Sequence, residues 1–321
     1  MSVLRQIKPV HIVIISILLY VLFIALSDVR NSVQILLHFS PLLFILMLGM
    51  ALMNYFIRFL KWQYYLKLIE VHIPGYESLQ IFLSGFSMTL TPGKSGELIK
   101  SQLLTEYGYP ISHTSSVIFV ERLTDLFGMI ILALLGAMIF GFLLIPLTLL
   151  VLILGIMVIV IQYEHVAKRI INVLCRLPLI CNYKNNIERL YLSSRILTHS
   201  TPLSIGIGLS VISWFFECLC LYIALIGTNV DIPVINSVFI FALSSIAGII
   251  AMLPGGLGAT EAVMVVLLSK SGVALSDATA ATILCRLATL WFAVAIGFCA
   301  LAYFQRKHTG RDIQKGEENS R

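Results

Sequence analysis

Apolar residues run along this chain in blocks too long and too even for the one-sided helices of a soluble protein. Stretches with sustained apolar character, and with charge absent or confined to one end, cover roughly residues 11–27, 38–57, 117–140, 142–161, 202–226 and 280–304. Each is close to the ~20 residues that one helical crossing of a bilayer needs. The run from Leu126 to Ile161 would be ~54 Å long as one helix, so it must turn back, and Gly141 to Pro146 is the place where the residues permit it. Six full spans are expected.

Two further stretches are apolar but interrupted. Leu79 to Leu104 is broken at Thr91-Pro92-Gly93-Lys94-Ser95-Gly96-Glu97, and Val234 to Leu268 at Leu253-Pro254-Gly255-Gly256-Leu257-Gly258-Ala259-Thr260-Glu261. Non-helical backbone at membrane depth survives only where protein or a wet cavity satisfies its polar groups. The two breaks therefore predict broken or re-entrant segments around a buried site.

The breaks also match each other. Pro92, Gly93 and Gly96 correspond to Pro254, Gly255 and Gly258 at a shift of 162. From Glu97 onward the shift is 164, placing Glu97, Gly108, Ser112 and Arg122 on Glu261, Gly272, Ser276 and Arg286. Leucine matches in such a chain are cheap, but coincident charged residues and glycines are not. If the N-terminus lies inside, the two broken segments start from opposite faces and the repeats are inverted, the architecture of secondary transporters and their relatives. The division expected is one transmembrane domain over 1–305, with repeat one at about 38–140, a basic connector at 163–201, repeat two at about 202–304 and a tail at 306–321.

Composition narrows the class. Charged residues make up 12% of the chain, about half the usual share of a soluble domain, which disfavours a soluble enzyme core, a disordered scaffold and a secreted disulfide framework. The net charge of +6 does not mark a nucleic-acid binder, because no water-exposed basic domain exists to carry it. The cations gather instead at Arg5 and Lys8, at Arg58, Lys61 and Lys67, in the connector, and in the tail from Arg306 to Lys315. The positive-inside rule puts these clusters, and both termini, on the cytoplasmic side of the plasma (inner) membrane. Arg58 and Trp62 read as an interfacial anchor. Residues 12–26 resemble a signal peptide and are expected to remain as an uncleaved anchor. The connector's Val166, Ile170 and Val173 recur at helical spacing, which suits a helix on the cytoplasmic lipid surface as well as a plain charged loop. Six cysteines without paired C-x-x-C spacing predict neither zinc nor disulfides.

The charges left inside the apolar runs are Glu97, Arg122, Asp125, Glu217, Glu261 and Arg286, each costing ~2.5–3.5 kcal/mol if unpaired. Two uses of the same residues stay open. Glu97 with Arg122, and Glu261 with Arg286, can form an ion pair within each repeat. Alternatively the Pro-Gly-x-x-Gly turns can expose backbone N–H groups to an anion, with Arg122 and Arg286 completing a phosphate pocket. Lys94 adds a cation to the first break and can capture a headgroup or snorkel to the surface. Asp125 and Glu217 are candidates for coupling, and Glu217 has no recognisable counterpart in the first half. Gly93-Lys94-Ser95 imitates the end of a Walker A loop, but Met88 stands where its first glycine belongs and no strand precedes it. No metalloprotease, nucleophile-elbow or metal-binding acidic pattern is present, so no enzyme, cofactor or metal is expected.

Pro92-Gly93-Lys94-Ser95-Gly96-Glu97-Leu98-Ile99-Lys100, Val120-Glu121-Arg122-Leu123-Thr124-Asp125, the second break and Cys285-Arg286-Leu287 together resemble the lysylphosphatidylglycerol synthase transmembrane family, also called the flippase-like domain family. The similarity covers nearly the whole chain. It implies an all-α polytopic membrane protein of about eight membrane elements, including re-entrant ones, in a family whose best-known members are associated with moving an aminoacylated phospholipid between leaflets. Members that make that lipid carry a large C-terminal aminoacyltransferase domain, whereas this chain ends soon after its last span, so synthesis is not expected. Stand-alone members are associated with glycolipid, polyprenol-linked sugar and envelope polysaccharide pathways. The function expected is binding of an anionic phospholipid or lipid-linked glycan headgroup by Lys94, Glu97, Arg122, Glu261 and Arg286, and its transfer across the bilayer. The alternative is a non-transporting accessory subunit that partners envelope-biosynthesis enzymes.

Overall fold

The fold was obtained as a computed structural model that describes residues 29–91, 96–137, 144–176 and 181–318. The expected first span at 11–27, and Pro92, Gly93 and Lys94 of the first break, lie outside these residues. Among the described residues the chain is helical throughout and contains no strand.

The elements fall into two similar series. The first holds α2 (Pro41–Leu68), α3 (Gly75–Ser84) continued by a 3-10 turn at Gly85–Met88, α4 (Ile99–Leu104) and α5 (Ile111–Ala137). The second holds α9 (Ser200–Gly227), α10 (Val234–Ile250), α11 (Ala259–Lys270), α12 (Leu275–Arg286), a π-helical turn at Leu287–Trp291 and α13 (Phe292–Glu318). Before the first series comes α1 (Val29–His38), and between the two lie α6 (Leu144–Gln162), α7 (Glu164–Leu174) and α8 (Lys184–Leu197).

Their turns repeat in detail. Helices α2 and α9 each have 28 residues and end in the same left-handed cap. Glu70 has φ 58° and Asn229 has φ 59°, while Val71 N–H donates to Leu66 O and Val230 N–H to Leu225 O, both at 2.9 Å. These are the bonds that close a Schellman-type C-terminus. The next helix begins after Pro74 in one series and Pro233 in the other. Beyond the breaks, Gly108 (φ 85°) and Gly272 (φ 89°) reverse the chain with Tyr109 N–H donating to Leu104 O and Val273 N–H to Leu268 O.

Packing exchanges the two series. Helix α2 lies along α9, α5 packs on α10, and α13 packs on α3. A glycine permits each of the last two contacts. A Cβ at Gly136 would run into Phe239, and one at Gly297 into the backbone of Ser87. Thus the final helix of each series grips the short arm of the other.

Helices α2, α6 and α9, and the continuous run from Leu275 to Lys307, are long and apolar enough to cross a bilayer. At 27 residues α5 is nearly as long and differs in carrying Glu121, Arg122 and Asp125 within its apolar length. The turn expected around Gly141 to Pro146 falls largely outside the described residues, which end α5 at Ala137 and resume with α6 at Leu144. One boundary differs: the apolar span expected to stop near residue 57 continues as helix to Leu68, with Arg58 and Lys61 turned inward and Lys67 exposed. In the connector, Val166, Ile170 and Val173 are exposed on α7, and Glu164 binds Arg195 of α8 at 2.6 Å and Lys168 at 2.5 Å. Those two cations, through hydrogen bonds and then charge, hold the Glu164 carboxyl below its ordinary range.

Candidate functional site

The second break is a compact turn. Pro254 opens a single 3-10 turn to Gly256, and Gly255, Gly256 and Gly258 take φ of 61°, 68° and 85°. An L side chain in this left-handed region costs ~1–2 kcal/mol, which explains why glycine recurs here. Glu261, in the first turn of α11, accepts the Gly258 N–H on Oε2 at 2.7 Å. On its other oxygen, Oε1, it accepts Arg286 Nε at 2.6 Å, while an Arg286 terminal nitrogen donates to Gly255 O at 2.8 Å. One guanidinium thereby fastens both sides of the break to α12. Glu261 is fully buried and Arg286 nearly so.

At the first break Thr91 does part of the same work. Its hydroxyl donates to Met88 O at 2.7 Å and accepts the Gly96 N–H at 2.6 Å. Glu97 then meets a terminal nitrogen of Arg122 at 3.2 Å. Both intra-repeat pairs anticipated from the sequence are therefore present, 25 residues apart in each case.

The first pair belongs to a wider network. Arg122 also lies 3.1 Å from Asp125, and Asp125 receives Lys61 Nζ at 2.5 Å. Lys61 donates further to Ser210 Oγ of α9 at 2.7 Å. On the other side, Lys100 donates to Glu121 at 2.6 Å and lies 3.8 Å from Glu97. Its ammonium sits 4.6 Å from the Trp62 ring centre and 5.5 Å from that of Phe82, and a Cβ on Gly85 would collide with its stem. Six charges, three of each sign, thus neutralise one another in the interior.

The sequence reading missed this network. By sequence Lys61 belongs to a cytoplasmic basic cluster, and Arg58 with Trp62 reads as an interfacial anchor. Lys61 and Trp62 are instead fully buried, and Arg58 is 6% exposed. Trp62 donates its indole N–H to Ser78 at 3.1 Å. Each follows a long apolar run, so the end of the run looked like the end of the membrane. The available signal was periodicity: positions 54, 58, 61 and 65 fall on one helical face, together with Ala51 and Tyr55, which are also buried.

Both breaks open on one cavity of ≈ 290 Å³. Arg58, Glu97, Arg122, Asp125, Glu217 and Arg286 line it, as do Gly255 and Gly256. The rest of the lining is largely apolar and includes Phe119, Leu126, Met129 and Phe241, with Leu154 and Met157 of α6. Glu261 lies behind Arg286, outside the lining. Glu217, without a counterpart in the sequence reading, gains one here. The equal lengths and matching caps of α2 and α9 set a shift of 159, which superposes Arg58 on Glu217 and Asn54 on Ser213. Asn54 Nδ2 donates to Ser213 O at 2.8 Å, so the two helices touch at equivalent positions. Arg58 and Glu217 therefore stand at the same place in the two series, facing one cavity with opposite charge.

Two exchanging helical series, several helices of bilayer length and a charged cavity between the breaks define an all-α polytopic membrane protein. The chain belongs to the family described as the lysylphosphatidylglycerol synthase TM region, which it matches over residues 13–297. It is similar to a UPF0104 membrane protein of Methanothermobacter thermautotrophicus, at 26% identity over 76% of this chain and 80% of that protein. A UPF0104 membrane protein of Methanocaldococcus jannaschii is likewise 26% identical, over 66% of this chain and 91% of its own length.

Proposed function

We propose that this protein takes the anionic headgroup of a phospholipid or lipid-linked glycan into the cavity between its two series and carries it across the plasma membrane. One observation carries the reading. The cavity is lined by six charged side chains, among them residues of both breaks, and by apolar side chains that include Leu154 and Met157 of α6. Such a site suits an amphipathic ligand, since the headgroup can exchange water for fixed charges while its chains stay against apolar side chains. Helix α6 buries only Leu147 and Leu154 among its 19 residues, so it is the thinnest barrier between the cavity and lipid and the natural lateral entry. The repeated series, taken as inverted across the membrane with both termini inside, supply two packings that can alternate about the cavity. No covalent step is assigned to the chain. Glu97, Arg122 and Arg286 face the ligand, Glu261 orients Arg286, and Lys94 in the first break contributes a further cation.

Reconstitution tests this. Purified protein in liposomes containing a trace of fluorescent phosphatidylglycerol should accelerate loss of inner-leaflet protection from membrane-impermeant dithionite, in proportion to protein per vesicle. Rates equal to those of protein-free vesicles would reject transport by the isolated chain and favour the accessory-subunit role.

A further inference from the structure

Of the five cations gathered around the cavity, four buried and Arg122 partly so, four are already committed to carboxylates. Lys61 is held by Asp125, Lys100 by Glu121, Arg122 by Glu97 and Asp125, and Arg286 by Glu261. Arg58 is the exception. Among the described residues no carboxylate oxygen lies within 4.0 Å of it, and its Nε has no hydrogen-bond partner. Its guanidinium carbon is instead 5.2 Å from the Phe86 ring centre and 5.9 Å from that of Trp214. It is more than nine-tenths buried and lines the cavity.

Aromatic contacts of this kind stabilise a cation through the ring faces and leave its N–H donors unused. A guanidinium out of water whose donors are unspent is costly on its own and strongly favours a ligand that accepts from them. Phosphate does so with two parallel, charge-assisted bonds. The arginines flanking the breaks are in the opposite condition, because a ligand could recruit them only by competing with their own carboxylates.

We infer that Arg58 is the principal anion ligand of the cavity and that it binds the phosphate of a phosphodiester headgroup, clamped between Phe86 and Trp214. The apolar wall at Phe119, Met129 and Met157 selects a lipid-borne phosphate over the free ion. Glu217, at the equivalent position of the second series and on the same cavity, opposes the ligand's charge and sets how tightly it is held. This assignment rests on the headgroup-binding reading above but not on transport.

Native mass spectrometry of the full chain in detergent, titrated with dioleoylphosphatidylglycerol and dioleoylphosphatidylcholine, tests it. The wild type should bind one phosphatidylglycerol preferentially. Arg58→Gln should weaken that binding about tenfold, and Arg58→Lys should recover part of it. Glu217→Gln should move it the other way, tightening it several-fold, an opposed pair of signs that general loss of structure does not produce. Should Arg58→Gln fail to fold, Phe86→Leu removes one ring of the clamp and should weaken binding several-fold. Unchanged binding in either variant, or shifts of the same sign in the position 58 and 217 variants, overturns the inference. Displacement of the lipid by millimolar inorganic phosphate would show a bare phosphate site and overturn the lipid assignment. If the vesicle assay is negative while Arg58→Gln still abolishes lipid preference, transport falls and Arg58 stands. If wild type transports and Arg58→Gln binds normally, Arg58 falls and transport stands.

Discussion

The two breaks answer one problem in different ways. In the second series a single carboxylate and a single guanidinium satisfy each other, one N–H of the turn and one carbonyl of the turn, with short, aligned bonds. In the first, charge is spread over Glu97, Arg122, Asp125, Lys61, Lys100 and Glu121. Arg122 sits between two carboxylates at 3.1 and 3.2 Å, and neither its Nε nor its facing terminal nitrogen makes an aligned hydrogen bond. At the shift of 164, Lys100, Glu121 and Asp125 correspond to Met264, Cys285 and Thr289 in the other series. One break is a clip and the other is a network with slack. A fixed break in the second series and a looser one in the first thus contribute to the lining of one cavity.

The clip should be the costlier to cut. Arg286→Leu leaves Glu261 buried and charged with no other ion-pair partner among the described residues, and removing one partner of such a pair typically costs about 3–5 kcal/mol. Unfolding in mixed micelles should show a loss of that size, and Glu261→Gln on the same background should recover part of it. Lys61→Met is the matched cut in the network. Asp125 keeps Arg122 and accepts the Ser210 hydroxyl at 3.0 Å, so the loss should be smaller, about 1–3 kcal/mol. Equal losses would erase the distinction between clip and network. Gly258→Ala isolates the backbone part of the clip. A Cβ there meets nothing within 4 Å, so the whole cost is that of holding an L residue at φ 85° and ψ −54°, outside the left-handed helical well, about 1–3 kcal/mol.

What was legible in the sequence follows the same division. The second break could be read almost completely, because its chemistry is local in sequence: glycines where φ is positive, a glutamate in the first helical turn, and an arginine at the same spacing as in the first copy. Apolar run length placed the helices. The network could not be read, since Lys61, Lys100 and Glu121 come from three helices and become neighbours only when α2, α4 and α5 pack. Lys61 and Arg58 also follow an apolar run, where a membrane-edge cation is the commoner occupant. The match of Arg58 with Glu217 was hidden for a different reason. Opposite charges do not register as similarity, and the shift between the series is 159 there but 162 and 164 farther on.

The smallest expected effect concerns a place where the two series agree. Helices α2 and α9 close with the same left-handed residue, Glu70 in one and Asn229 in the other, at φ 58° and 59°. Neither is glycine, and the left-handed conformation costs an L residue ~1–2 kcal/mol, less for asparagine, which enters it more readily. Glycine would remove that strain but add ~0.5–1 kcal/mol of unfolded-chain entropy to be lost. Glu70→Gly should therefore stabilise by about 0.5–1 kcal/mol, and Asn229→Gly by a few tenths at most, with the double variant close to their sum, because nothing ties the two caps together. Additivity here, alongside unequal costs at the breaks, would place the difference between the series in their buried charges rather than their backbone. A large departure from additivity would mean that the caps are coupled through the α2 and α9 contact, and that the asymmetry extends beyond the breaks.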